Sequence, residues 1–207
     1  MFDPAALELV AITDSLRDGI DGLAARAAAA VHGGATMLHL RLQDESPRTL
    51  VEAARALRRA APSVPLIVNE RADVALAAEA EGVHVGSDGV SPAALRRVVP
   101  ARFIIGVSVS ADDEIARVTG ADYVGIGPVF VAGRGSTTPA LGVARFAELA
   151  KRCGLPAVAV GGITPETAGS VLAAGGAGVA VISALLGASD PMLAARAIRS
   201  ALDASGS

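Results

Sequence analysis

Ala157-Val158-Ala159-Val160-Gly161-Gly162-Ile163-Thr164-Pro165-Glu166 and, a little further on, Gly178-Val179-Ala180-Val181-Ile182-Ser183 are the stretches from which the fold can be read. Each is a short apolar run, rich in β-branched valine, that ends on small or polar residues. The length and composition fit a buried parallel strand. Gly161 and Gly162 lack a Cβ, so an anion can approach their amides closely. Thr164-Pro165 reads as a helix start, with threonine as the cap and proline in the first turn. A helix N-terminus favours an anion through its free N–H groups and its dipole. Two such strand ends in succession resemble the phosphate site that many parallel barrels carry after their last two strands. Gly161, Gly162, Ile163 and Ser183 are therefore candidate phosphate-binding residues.

The same unit recurs along the chain. Strands are expected at Leu7–Thr13, Met37–Leu42, Leu66–Asn69, Val83–Gly86, Phe103–Val109, Tyr123–Val129, Ala157–Gly161 and Val179–Ser183. Helices are expected at Gly19–His32, Pro47–Ala60, Ala72–Ala80, Pro92–Val98, Ala111–Val118, Val143–Cys153, Pro165–Ala174 and Pro191–Asp203. Glycine stands before several strands: Gly33-Gly34, Gly82, Gly120 and Gly175-Gly176. Glycine there ends a helix in a left-handed cap and turns the chain tightly. Parallel strands need helical crossovers. Eight strand–helix pairs in 207 residues predict one domain spanning 1–207, a single (β/α)8 TIM barrel of the α/β class near the lower size limit. An open doubly wound sheet is disfavoured, because no G-x-G-x-x-G follows the first strand.

Composition narrows the function. Aromatic residues are 2% of the chain and tryptophan is absent, which leaves no platform for stacking bases. The net charge of −3 comes without a basic block, so no nucleic-acid partner is expected. No long apolar span points to a membrane. The single Cys153 excludes an internal disulfide and fits a cytoplasmic location. The pattern is compatible with a homo-oligomer. No His/Cys spacing marks a metal site.

Active sites in such barrels lie at the C-terminal ends of the strands. Those positions carry Thr13, then His39 and Arg41, then Asn69 and Glu70, then Ser108, Gly127 and the loop that contains Thr138. His39 and Arg41 alternate onto one face of the second strand. That face is expected to point inward, because the other face carries Leu38, Leu40 and Leu42, and an unpaired arginine under helices would be costly. Inside, Arg41 would meet an anion or a carboxylate such as Glu70. His39, Arg41, Asn69 and Glu70 are candidate catalytic residues, with His39 as the acid/base because imidazole titrates near neutrality. Thr13, Ser108, Gly127 and Thr138 are candidate substrate contacts. His84 reads better as a structural residue. Lys151 near a helix end argues against Schiff-base chemistry.

Taken in order, several segments resemble the thiamine phosphate synthase / TenI superfamily. They are Ala11-Ile12-Thr13-Asp14, Leu38-His39-Leu40-Arg41, Val68-Asn69-Glu70-Arg71, Gly82-Val83-His84-Val85-Gly86, Gly125-Ile126-Gly127-Pro128 and Val160-Gly161-Gly162-Ile163-Thr164. The resemblance implies a barrel that binds a thiazole phosphate at Gly161-Gly162 and near Ser183. In the synthase branch, magnesium holds a pyrimidine pyrophosphate and the thiazole nitrogen displaces pyrophosphate. That branch carries Asn-Asp after strand three, Gln-Glu-Asp after strand four, Arg-x-Lys on strand two and Pro-Thr-x-Thr-Lys after strand six. This chain has Asn69-Glu70, Ser87-Asp88-Gly89, Arg41 with Gln43, and Val131-Ala132-Gly133-Arg134. His39-x-Arg41, Ser87 with Ser91-Pro92, and Pro139-Ala140-Leu141-Gly142 are similar to the TenI-type branch, although Pro128 stands where some of its members have a catalytic histidine. The expectation is a TenI-type thiazole tautomerase needing no cofactor. The alternatives are a thiamine phosphate synthase using Mg2+ and a non-catalytic binder of thiazole or thiamine phosphate.

Overall fold

A computed structural model describes residues 2–131 and 139–205. Eight parallel strands close into a barrel in sequence order. They are β1 (Leu9–Ile12), β2 (Met37–Leu40), β3 (Leu66–Asn69), β4 (Gly82–Val85), β5 (Ile104–Val109), β6 (Tyr123–Ile126), β7 (Ala157–Val160) and β8 (Gly178–Val181). Around them lie α1 (Gly19–His32), α2 (Pro47–Ala60), α3 (Ala72–Ala77), α4 (Pro92–Leu95), α5 (Gly142–Cys153), α6 (Pro165–Ala173) and α7 (Pro191–Ser205). None of these helices is long and apolar enough to cross a membrane.

Period-two alternation divides the core into two layers. Leu9, Ala11, Leu38, Leu40, Leu66 and Val68 face outward and pack under the helices. Leu7, Val10, Ile12, Met37, Ile67, Tyr123, Val158 and Ala180 fill the interior. In α2 the buried Leu50, Ala53, Ala54 and Leu57 form one stripe at helical spacing. Ser46 starts that helix, its hydroxyl accepting from the Thr49 amide at 3.1 Å. Acidic residues just before strands stitch the lower rim. Glu81 accepts from the Leu66 amide at 2.8 Å and Asp122 from the Ile105 amide at 2.8 Å.

Several boundaries differ from the sequence expectation. The first strand starts at Leu9, not Leu7, because Pro4–Leu7 forms a short 3-10 helix. Asp3 caps it, accepting from the Ala5 amide at 3.0 Å, and this turn competes with an extended start. The segment after β5 winds as a 3-10 helix over Asp112–Val118. The Glu114 carboxylate accepts from the amides of Ser110 and Ala111 at its start. Helix α4 stops at Leu95 and leaves Val98 76% exposed, so that position has no packing to extend the helix.

Candidate functional site

A cavity of about 360 Å³ opens at the C-terminal ends of the strands. Its walls include His39, Arg41, Asn69, His84, Ser108, Tyr123 and Gly127, with Val10, Ile12, Val158, Val160 and Ile182. His39 and Arg41 both line it, so β2 presents this face inward. His39 lies deeper, 6% exposed, level with Ile12 on β1 and Ile67 on β3. Its Nε2 is buried with no hydrogen-bond partner among the described residues. Burial pushes its pKa down to about 3, helped by His84 and Arg41 and opposed by the Asn69 side chain. His39 is thus a neutral imidazole near pH 7, with polar capacity left for a ligand.

His84 stands beside it, the ring centroids 5.3 Å apart. Its Nδ1 lies 3.0 Å from the Tyr123 hydroxyl and its Nε2 3.0 Å from Ser108 Oγ. Burial lowers the His84 pKa to about 4 and raises that of Tyr123. Both rings are therefore uncharged. Sequence reading treated His84 as structural and did not single out Tyr123. Their signal was the inward register each shares with its strand, together with the glycines at 106 and 125 that make room for them.

Arg41 sits half-buried at the mouth. Among the described residues no carboxylate pairs with it. The expected partner, Glu70, goes elsewhere. Glu70 adopts a left-handed backbone, φ 59°, and its Oε1 accepts from the Gly86 amide at 2.6 Å. Glu70 is exposed and off the cavity wall, so the structure separates it from His39, Arg41 and Asn69. Thr13 is also off the wall. It is fully buried, and its hydroxyl accepts from the Arg41 amide at 2.8 Å and donates to the Arg41 carbonyl at 3.0 Å. Thr13 therefore fixes the backbone that carries Arg41. Ser108, Asn69 and Gly127 line the cavity. Thr138 lies outside the described residues.

The rim beside β7 and β8 holds the anion-type turn. Gly161 and Gly162 have φ values of 91° and 65°, which a side chain would strain. A Cβ at Gly162 would stand 2.7 Å from the Phe130 carbonyl carbon and the Val131 oxygen. Thr164 precedes α6, where its amide donates to Thr167 Oγ1 at 2.9 Å. The amides of Gly162, Ile163, Ser183 and Ala184 donate to no acceptor among the described residues. Val160 pairs with Ala180, so these amides cluster at adjacent strand ends. Asp14, next to Thr13, is held by Arg26, which is 8% exposed and also binds Asp18 and the Ser15 carbonyl. That network orders the β1–α1 turn on the same rim.

These features define a (β/α)8 barrel whose cavity holds two uncharged imidazoles, with an arginine at its mouth that no carboxylate among the described residues pairs with, and rim amides that meet no acceptor among them. Comparison with known proteins narrows the class. The Thiamine monophosphate synthase family profile matches residues 9–185. A Thiamine-phosphate synthase of Xanthobacter autotrophicus is 42% identical, covering 96% of this chain and 97% of its own. One of Azorhizobium caulinodans is 40% identical, covering 98% of each chain. The solved structure of a thiamine phosphate pyrophosphorylase from Pyrococcus furiosus superposes with a TM-score of 0.87 at 30% identity, over 98% of both chains. The chain belongs to the thiamine monophosphate synthase family.

This overturns the tautomerase expectation. Relatives at about 40% identity over nearly the full length are named as synthases, which are transferases. The expectation counted the carboxylate missing at Gly89 as lost chemistry. In space, Glu70 Oε2 stands 2.7 Å from where a Cβ at residue 89 would be. The carboxylate of Glu70, just past β3, takes up that space.

Proposed function

We propose that the chain is a thiamine-phosphate synthase, joining a pyrimidine pyrophosphate to a thiazole phosphate with release of pyrophosphate. One observation carries the reading: two separate anion-seeking features border one cavity. Among the described residues Arg41, just past β2 at the mouth, has no carboxylate partner, and the amides of Gly162, Ile163, Ser183 and Ala184 on the β7–β8 rim have no acceptor. Two phosphorylated substrates need two anion sites, with the uncharged rings meeting between them. The guanidinium suits a multiply charged, freely bridging pyrophosphate. The rim amides suit a single phosphate.

Magnesium fits the acidic pair formed by the residue after β3 and the turn after β4. Glu70 Oε1 and Asp88 Oδ1 lie 2.9 and 3.1 Å from one point, the place of a Cβ on Gly86. Among the described residues no group of three or more His, Cys, Asp or Glu forms a protein cage. Magnesium needs none, because it keeps waters and takes one or two carboxylates with substrate phosphate oxygens. Glu70 and Asp88 would hold it. When bound, it supplies positive charge that stabilises a departing pyrophosphate. The chain's own residues hold the rings. His39 and His84 stay uncharged, so neither places a second full charge beside the reacting carbon. Val10, Ile12, Val158 and Val160 exclude water from the apolar wall.

The deciding assay mixes both substrates with Mg2+ and follows thiamine phosphate and pyrophosphate together. Formation of the two products in equal amounts is expected, at roughly 1 s⁻¹ or faster. Absence of thiamine phosphate from a folded, magnesium-supplied protein would sink the reading.

A further inference from the structure

The turn after β4 reads Gly86-Ser87-Asp88-Gly89, and Asp88 in its middle is one of the two carboxylates that would hold magnesium. Asp88 and Glu70 are both exposed, and two like charges on turns push apart unless something fixes them. The residue on each side of Asp88 is held from outside the turn. Arg117 donates from Nη2 to the Gly89 carbonyl at 2.5 Å. The Ser87 side chain hydrogen-bonds to the Glu114 carboxylate. Burial opposes a charge on Glu114, yet the hydrogen bonds from Ser110, Ser87 and Ala111 hold its pKa below the ordinary value. Glu114 is therefore ionised near pH 7 and only accepts, so the Ser87 hydroxyl is the donor.

Glu114 and Arg117 stand three residues apart in the 3-10 segment Asp112–Val118. That winding has three residues per turn, so the two side chains share one face, one above the other. This face meets the β4 turn. The segment is braced at both ends. Asp112 pairs with Arg145 at 2.7 Å and with Arg152 at 2.5 Å, both on α5. Beyond the other end, Gly120 lies against the start of α4, where a Cβ would stand 3.0 Å from the Ala93 backbone. Arg117 is half-buried, and its Nε is buried with no hydrogen-bond partner among the described residues. No carboxylate among those residues pairs with it. Burying a guanidinium for one bond to a carbonyl gains little stability. What it gains is a fixed turn.

We infer that Glu114 and Arg117 are positioning residues for a divalent cation: gripping Ser87 and Gly89, they keep Asp88 within reach of Glu70 so that the two carboxylates hold one ion. The cation's part in the reaction rests on the synthase reading. Magnesium accepts little departure from octahedral geometry, so the turn that carries a ligand must not drift. Groups behind the ligands of a metal typically set tenfold or more of its affinity. Arg117 also brings a positive charge toward the pair. By charge alone it opposes a cation, and by position it favours one. The two effects have opposite signs, and a single substitution separates them.

The measurement needs neither substrate nor turnover. Mn2+ is titrated into the full chain near pH 7 and its binding is followed by water-proton relaxation. Wild type is expected to bind it, and Glu70→Gln to weaken it. Arg117→Met, shown by its circular-dichroism spectrum to be folded, is expected to weaken Mn2+ about tenfold, and Arg117→Lys, which keeps a charge and a donor, to restore most of the loss. Unchanged or tighter Mn2+ binding in folded Arg117→Met overturns the inference, because only the charge would then have mattered. Ser87→Ala changes no charge and is expected to weaken Mn2+ in the same direction. It decides the matter should Arg117→Met not fold, and unchanged binding there overturns the inference as well. Affinity for thiazole phosphate, bound at the opposite rim, is expected to stay as in wild type. An equal loss of both ligands means a damaged barrel and also overturns it. Wild type that takes up no Mn2+, or takes it up regardless of Glu70→Gln, leaves nothing for these residues to position and overturns the inference alone. The synthase reading is judged separately, by the two products formed with Mg2+.

Discussion

Glu70 and Gly86 are joined by a 2.6 Å hydrogen bond from the Gly86 amide to the carboxylate, which ties the end of β3 to the turn after β4. The same carboxylate stands where a side chain on residue 89 would go. Gly89 is not among the glycines with positive φ, so a larger residue is compatible with its backbone. Residues 70 and 89 therefore share one space.

From this we expect Gly89→Asp to destabilise the protein while Glu70 is present, since two carboxylates would crowd and repel. Combined with Glu70→Asp the loss should largely disappear. A coupling of about 1 kcal/mol is expected from urea unfolding of the two single variants and the double. Additive losses would remove the idea of a shared place.

Gly106→Ala should be among the most damaging small substitutions in the chain. The added methyl meets the Tyr123 ring and His84 Nδ1 and would force apart the two groups, which lie 3.0 Å from each other. Overpacking of this kind costs roughly 3 kcal/mol. Chemical denaturation checks it, and a loss of less than about 1 kcal/mol would show the interior to be looser than drawn.

Gly162→Ala should weaken binding of thiazole phosphate by about tenfold or more, because strain at φ 65° and the approach to Phe130 and Val131 both displace the rim amides. The phosphate-free thiazole alcohol supplies the control. Calorimetry should show its affinity unchanged. Equal losses for both ligands would place the effect in the fold, not at the rim.

Stability should fall as pH drops below about 6.5, the usual histidine value. His39 and His84 have folded pKa values lowered to about 3 and about 4. Above about 6.5 both states leave them neutral, and their contribution is complete. Between there and the folded values the unfolded chain takes up protons that the folded barrel refuses, so stability drains at about 1.4 kcal/mol per pH unit for each histidine. Urea midpoints at about pH 7 and about pH 5 measure the slope. A His39→Gln, His84→Gln variant should flatten it, and an equally steep slope there would assign the effect to other groups.

The barrel was legible because its signals are local and repeated: valine-rich strands, capped helix starts such as Ser46-Pro47, and glycine at the start of β4 and before β8. The inward face of β2 followed from alternation together with the cost of an unpaired arginine under helices. What escaped sequence reading depends on curvature and reach. His84 meets Ser108 and Tyr123 only because β4, β5 and β6 bend around one axis. The threonine at 13 looked like a strand-end contact, but its hydroxyl is consumed by the backbone of Arg41. Glu70 was read against a motif position by position, and the left-handed turn that swings its carboxylate toward residue 89 has no sequence signature outside glycine. That gap, together with Gln43, the Val131-Ala132-Gly133-Arg134 stretch and the TenI-type similarities, tilted the functional expectation toward the wrong branch.

The two missing side chains at Gly106 and Gly125 have an effect beyond making room for His84. They lie on one side of the barrel, next to the polar Ser108, His84 and Asn69, while β1, β7 and β8 close the other side with Val10, Ile12, Val158, Val160 and Ile182. The cavity is therefore lopsided, hydrogen-bonding toward β3–β6 and apolar toward β7–β1. A flat ring slid into it cannot turn over without setting its polar edge against valine. The hollow acts as a keyway, and the way up a ligand enters is decided before any charged group touches it.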